Sequence, residues 1–314
     1  MAVRFRDSLA WKFTVILVTA GSGIWVIWLM VRVWPEFSAR IDQVSLSLLS
    51  IGLLLSLGAA YLTFEAFVIL VRLFGIPALP RREIGHLYFT TQLLKHLPGR
   101  IWGIGYQWAV GGTRRTLGNW VLVNVCHTLL ATFFALWSAA LALGLLRGTK
   151  WVALVLVMGP VAYAMFWLLG SSGAVSRWFA YLPKRICDLC QSMLGLLGNA
   201  SVSARLRLFL CFAASWLIYY ASWFLSGLAY PPLGGIGGVG LCAYYMLAWF
   251  VGYVSLLTPS GLGVRELVFV WLAKDYPGDA VALMAVVGRV SLLSVDLILG
   301  LLFAPFAPRN QSKL

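Results

Sequence analysis

The sequence predicts an all-α polytopic membrane protein, and three observations carry that expectation. Hydrophobic residues make up 61% of the chain and charged ones only 11%, with a mean hydropathy of +0.89, far from soluble composition. Six segments are apolar over a length that crosses roughly 30 Å of hydrocarbon. The 15 Trp and 12 Tyr suit a chain with two extended water–lipid interfaces.

The six segments are residues 13–31, 46–71, 120–146, 151–169, 208–230 and 281–306. The first reads as a span rather than a signal peptide, because no small-residue cleavage site follows it. Two further apolar regions, 84–110 and 239–273, are interrupted by "HLPGRIWGIG" and "LTPSGLGVRE". Proline and glycine at these breaks argue against one straight helix in either region.

Loop charges suggest how the broken regions lie. If each is a re-entrant helical hairpin, one side of the membrane receives Arg4, Arg6, Lys12, Arg72, Arg81, Arg82, Arg114, Arg115, Arg177, Lys184, Arg185, Arg205, Arg207, Arg309 and Lys313. The other side receives only Arg32, Arg40, Arg147, Lys150 and Lys274. This is a strong positive-inside bias, with both termini in the cytoplasm and the chain in a bacterial-type cytoplasmic (inner) membrane. The net charge of +14 therefore reads as topology and contact with anionic headgroups, not nucleic-acid binding.

The same assignment makes residues 1–314 a single membrane domain of two halves, 1–147 and 148–314. Each half runs span, span, hairpin, span with opposite orientation, the inverted repeat of many transporters. The section 171–207 is the one sizeable cytoplasmic loop, read as amphipathic surface helices against lipid.

Seven ionisable residues fall within apolar sequence: Glu65, Lys95, Arg100, Arg265, Glu266, Arg289 and Asp296. Each charge near the bilayer centre costs on the order of 3 kcal/mol, so they are paired, solvated in a cavity or close to an interface. Arg289 and Asp296 could pair along one helix face, and Glu65 sits near the cytoplasmic end of its span. Each hairpin break combines helix breakers with a base: Pro98, Gly99 and Arg100 in one, Pro259, Gly261, Gly263 and Arg265 in the other. A helix restarting after such a break offers its N-terminal N–H groups to an anion, with Arg as a bidentate partner. Lys95, Arg100, Arg265 and Arg289 are thus the candidate ligands of a substrate phosphate. Glu266, Asp296 and Glu65 are candidate counter-ions or coupling groups. Arg265 and Glu266 point about 100° apart on a helix and need not pair with each other.

Other chemistry is not indicated. His86, His96 and His127 lack metal-ligand spacing and read as packing or interface histidines. Cys187 and Cys190 form one CxxC without a second pair, and Cys126, Cys211 and Cys242 read as small apolar residues. No nucleophile elbow, phosphate loop or paired catalytic carboxylates occur. No cofactor or metal is expected.

With "KHLPGRIWGIGYQWAVGG" and "LTPSGLGVRELVFV" in view, the chain resembles the lysylphosphatidylglycerol synthase transmembrane, or flippase-like, family over nearly its whole length. The first motif corresponds to P-G-[KR] at Pro98, Gly99 and Arg100. The second corresponds to P-x-G-x-G-x-R-E at Pro259, Gly261, Gly263, Arg265 and Glu266; Arg289 and Gly300 match a feature of the last span. Many members carry a charged E-R-x-x-D run after the first hairpin, where this sequence has Asn124 and His127. Bifunctional members continue into a soluble aminoacyl-transferase domain; the sequence ends at Leu314 without one, so aminoacyl transfer is not part of what the resemblance implies. It implies movement of a phosphate-bearing lipid, either a phospholipid or a polyprenyl-phosphate-linked sugar, between leaflets. Expected partners are membrane lipids, that lipid-linked substrate, and glycan- or lipid-modifying enzymes of the cell envelope. Other classes compatible with the same features are a membrane-embedded glycosyl or phosphoryl transferase with Glu36 or Asp42 as base, a transporter of small anions, and a noncatalytic scaffold.

Overall fold

The structure, a computed structural model, describes residues 44–76, 79–96, 102–111, 117–171, 198–229, 236–255 and 263–308, with a few single positions outside these stretches. Its described helices are α1 (Leu46–Leu73), α2 (Arg81–Leu94), α3 (Trp102–Gly111), α4 (Leu117–Arg147), α5 (Thr149–Ser171), α6 (Val202–Leu228), α7 (Ile236–Val254), α8 (Val264–Leu272) and α9 (Gly278–Phe303), followed by a 3-10 turn, Ala304–Phe306. No strand occurs among the described residues. The protein is an all-α, multi-pass membrane protein.

Among the described residues, four helices are long and apolar enough to cross a bilayer: Leu46–Leu73, Leu117–Arg147, Val202–Leu228 and Ala280–Phe306. They coincide with four of the six expected spans. The expected span 151–169 lies within α5, which has 23 residues, and the expected span 13–31 lies outside the described residues but for a single position, as does most of the loop 171–207. Helix α5 turns Leu154, Val157, Met158, Val161 and Met165 outward, an apolar face that needs lipid rather than water.

The centre of the molecule is the antiparallel pair α1 and α6. Ser45 and Ser201 cap their first turns by accepting from the N–H groups of Leu48 and Ala204. Small hydroxyl residues then let the two backbones approach, as helices in lipid require. The Ser222 hydroxyl donates to the Gly52 carbonyl at 2.6 Å and meets Ser56 Oγ at 2.6 Å, while Thr63 Oγ1 lies 3.5 Å from Ser215 Oγ. Seven residues in one direction along α1 match seven in the other along α6.

The described helices stop and restart on either side of both predicted breaks, and the arms fold back on each other. In the first, α2 packs on α3, and Gly111 at the end of α3 lies against Leu79, just before α2, and Leu87, halfway along it. In the second, α7 packs on α8, and Gly240 near the start of α7 lies against Tyr276, just beyond α8. Helices α2, α3 and α8 have 14, 10 and 9 residues, or about 21, 15 and 14 Å, none enough to cross 30 Å alone.

The two hairpins start at opposite ends of the molecule. Arg81 at the start of α2 bonds to Glu65 and Tyr61 near the end of α1, and Arg82 stacks over Phe306. Asn119 at the start of α4 donates to Phe74 O at 2.9 Å. The end of α1, the starts of α2, α4 and α6, and the end of α9 therefore share one rim, with Arg72, Arg81, Arg82, Arg205 and Arg207 on it. Leu146 at the far end of α4 meets Gly240, which puts Arg147, Lys150 and Lys274 at the opposite rim.

Packing across the molecule is reciprocal. Helix α4 packs on α7, and α9 packs on α2; α4 packs on α6, and α9 packs on α1. The α2–α3 pair thus rests on α9, and the α7–α8 pair on α4.

Closeness of the central pair is testable by overpacking. A Cβ at Gly52 would stand 2.6 Å from Ser226 Oγ and 3.1 Å from the Ser222 carbonyl, whereas one at Gly58 meets nothing within 4 Å. Gly52→Val is expected to lower stability by about 1–3 kcal/mol, and Gly58→Ala to leave it unchanged or raised. Thermal unfolding in detergent that ranks the two equally would rule out this crossing.

Candidate functional site

The second hairpin restarts at α8, and its first turn explains the adjacent charges. Gly263 has φ of 81°, a left-handed conformation in which glycine suffers no side-chain clash. Gly261, at φ 70°, lies directly against the Gly252 backbone, where a side chain would collide. Three residues into the restart, Glu266 turns back and accepts from the Gly263 N–H at 2.8 Å, capping the helix. Its other carboxylate oxygen receives Arg265 Nη2 at 3.0 Å and Nε at 3.2 Å, with Arg289 Nε at 3.9 Å. The Arg265 guanidinium also lies 5.4 Å from the centre of the Tyr245 ring. Arg265, Glu266 and Arg289 are 2%, 3% and 5% exposed. The helical angle left the pairing of Arg265 and Glu266 open; they do pair, because the cap turns the carboxylate toward the break and the long Arg stem follows it.

The first hairpin tip carries a different cluster. Lys95 closes α2, and its Nζ donates to Gln92 Oε1 at 3.0 Å and to Asp296 Oδ2 at 2.9 Å. The His96 Nε2–Asp296 Oδ2 distance is 2.8 Å, with Nε2 carrying the hydrogen since a carboxylate only accepts. Asp296 therefore pairs across to the hairpin and not with Arg289 on its own helix. The two α9 charges, about 10 Å apart along the axis, serve one hairpin tip each. Gly85 of α2 packs on Phe303 of α9, and Lys95 lies about ten residues, or roughly 15 Å, farther along. That depth is near the middle of the span.

Asp296 and Lys95 line a cavity of about 600 Å³ in the centre of the bundle. Helix α1 supplies Thr63, α2 Tyr88 and Gln92, and α4 Asn124, His127 and Thr128. Its far wall is aromatic: Trp216, Tyr219 and Trp223 from α6, Trp249 and Tyr253 from α7. Trp249 and Tyr253 stack at 4.7 Å, and Tyr253 OH bonds Thr128 Oγ1 at 3.2 Å, tying α7 to α4.

Of the residues expected at a site, Lys95 and Asp296 come together in the cavity, whereas Arg265, Glu266 and Arg289 form the sealed cluster behind it. Glu65 is at the rim, half-buried in its pair with Arg81. Arg100, Pro98, Gly99 and Pro259 lie outside the described residues. Sequence reasoning missed His96, which hydrogen-bonds to Asp296 rather than merely packing. It also missed the aromatic wall, although Trp216, Tyr219 and Trp223 have one-face helical spacing. His86 is a packing histidine, held by Phe303 O at 3.0 Å and Tyr106 OH at 2.7 Å. Asn124 and His127 both face the cavity, with His127 Nε2 3.3 Å from Thr63 O. Among the described residues, no group of three or more His, Cys, Asp or Glu could hold a metal ion.

No protein-family model, curated protein or solved structure matches the chain.

The contrast between sealed and rim charges predicts unequal losses. Glu266→Gln strips a buried carboxylate from two arginines and is expected to cost about 3–5 kcal/mol. Glu65→Gln, at a side chain 24% exposed, is expected to cost about 0–1 kcal/mol. Thermal unfolding of both variants in one detergent measures the difference, and equal losses would contradict the assignment.

Proposed function

We propose that the protein is a flippase-like transporter that moves an anionic, phosphate-bearing lipid between leaflets. The observation that carries this reading is the central cavity: a lysine and a histidine face one carboxylate at mid-membrane depth, in a space suited to a headgroup. An anionic headgroup needs a polar path through hydrocarbon while its tails stay in lipid. A protein-lined cavity beside a broken helix is a place where irregular backbone and charge are tolerated at that depth.

Three further features support it. The hairpin arms start and finish at the same rim, as re-entrant elements would. The reciprocal packing of each hairpin on the opposite half's last span is what a two-fold relation between inverted halves generates. The basic rim faces the cytoplasm in a bacterial-type inner membrane by the positive-inside rule, which puts the first hairpin on the cytoplasmic side and the second on the outer side.

In this reading Lys95 and His96, with Arg100 beyond the break, bind the phosphate in the present conformation. Arg265 and Arg289 hold the corresponding position at the second hairpin, where Glu266 occupies their donors as a phosphate would. Rocking of one half against the other would exchange the two clusters between open and sealed. The flippase-like resemblance at both breaks agrees with this reading.

Reconstitution tests it. Protein in liposomes is expected to accelerate leaflet exchange of a fluorescent short-chain phosphatidylglycerol or a polyprenyl phosphate. Lys95→Ala, Arg100→Ala and Arg265→Ala, each folded, are expected to slow exchange at least about tenfold, the order of one lost charged hydrogen bond. Full activity in all three variants would remove these bases from the path. Transport of inorganic phosphate without lipid exchange would favour a small-anion carrier.

A further inference from the structure

The two charge clusters differ in one respect that bears on how transport is driven. The Arg265–Glu266–Arg289 cluster is sealed, and Glu266 also caps its helix, so that carboxylate is held by backbone as well as by arginine. Asp296 has no such cap. Its described partners are Lys95, which lines the cavity with it, and His96, next in the chain; both bond to one oxygen, and both are part-exposed, at side-chain values of 25% and 20%. These are the groups that an entering phosphate would contact.

Such contact upsets the charge balance of the cavity. With His96 neutral, Lys95 and Asp296 sum to zero. Adding a phosphodiester that takes both donors leaves one negative charge in excess and a carboxylate without partners in a low-dielectric cavity. One proton on Asp296 restores the sum to zero.

We propose that Asp296 is the proton-carrying group of the cycle: phosphate displaces it from Lys95 and His96, it takes a proton from water in the cavity, and anion and proton cross together. On release, Asp296 gives the proton to water and recloses on Lys95 and His96. The assignment rests on the cavity being the anion site.

Other titratable groups surround Asp296. Tyr88 of α2, His127 of α4, Tyr219 of α6 and Tyr253 of α7 line the same cavity. From α8, Arg265 and Glu266 act at one remove, through Arg289, which lies two turns away on α9 and senses Asp296 electrostatically. Helix α1 contributes Thr63 to the cavity and no titratable group. Of these, His96 is the rival proton acceptor, since its protonation would balance the charge equally well.

Calorimetric titration in detergent, repeated in two buffers of different ionisation enthalpy, counts protons taken up per ligand bound. Dihexanoyl phosphatidylglycerol is the main probe, because a diester keeps one charge through the neutral range; farnesyl phosphate and inorganic phosphate are the other arms. Wild type is expected to take up about one proton per diester, with affinity falling by up to about tenfold per pH unit as pH rises. Asp296→Asn is expected to bind with no uptake and a flat pH profile, while Asp296→Glu and His96→Gln keep the uptake.

Absence of uptake by wild type overturns the assignment however the variants fold. So does uptake that survives in Asp296→Asn and disappears in His96→Gln. Tighter binding of farnesyl phosphate than of the diester, with uptake, supports the assignment and points to a polyprenyl lipid. Binding of inorganic phosphate alone, with an uptake that Asp296→Asn abolishes, supports Asp296 as proton carrier while removing lipid as the cargo; uptake that Asp296→Asn leaves intact is a proton on the phosphate itself and overturns the assignment. No binding of any probe overturns both the proton assignment and the transport reading.

Discussion

Hydrocarbon cannot solvate a charge, and much of this structure depends on where its interior charges find partners. Two hairpin tips bring bases into the bundle, and one helix, α9, meets both. Arg289 joins the Arg265–Glu266 pair of the second tip, and Asp296 holds Lys95 and His96 of the first. Without those pairings each tip would leave a cation deep in the span at a cost on the order of 3 kcal/mol. The hairpins are therefore fastened to the same helix by opposite kinds of charge contact.

That fastening works only because the central helices come close. The serine and threonine contacts bring α1 and α6 together without large side chains between them. Helices remote in sequence then cross, so that α2 lies on α9 and α7 lies on α4. Helices α1, α2, α4, α6, α7 and α9 all line the cavity.

Much of this was legible in the sequence. Among the described residues, four expected spans match helices able to cross, and the described helices stop and restart on either side of the two Pro- and Gly-bearing breaks. The split of basic residues between two rims also matches for the described positions. The pairings were less legible. The 100° rule left the pairing of Arg265 and Glu266 open, because it treats side chains as radial spokes and ignores a carboxylate that folds back to cap its own helix. Arg289 and Asp296 looked like partners because they share a face, yet each had a nearer partner on another helix. His96 looked like packing because its acceptor is two hundred residues away.

By itself the sequence determined solvent, length and punctuation: apolar runs long enough for a bilayer, breakers at fixed positions, and bases confined mainly to one set of loops. These are local properties, set by transfer energies and backbone sterics residue by residue. Only the tertiary structure decided which carboxylate answers which base, and that one cluster is sealed while the other faces a cavity. Those outcomes depend on distances between helices remote in sequence, and in a low dielectric an ångström of separation or a few per cent of exposure changes the partner a charge prefers.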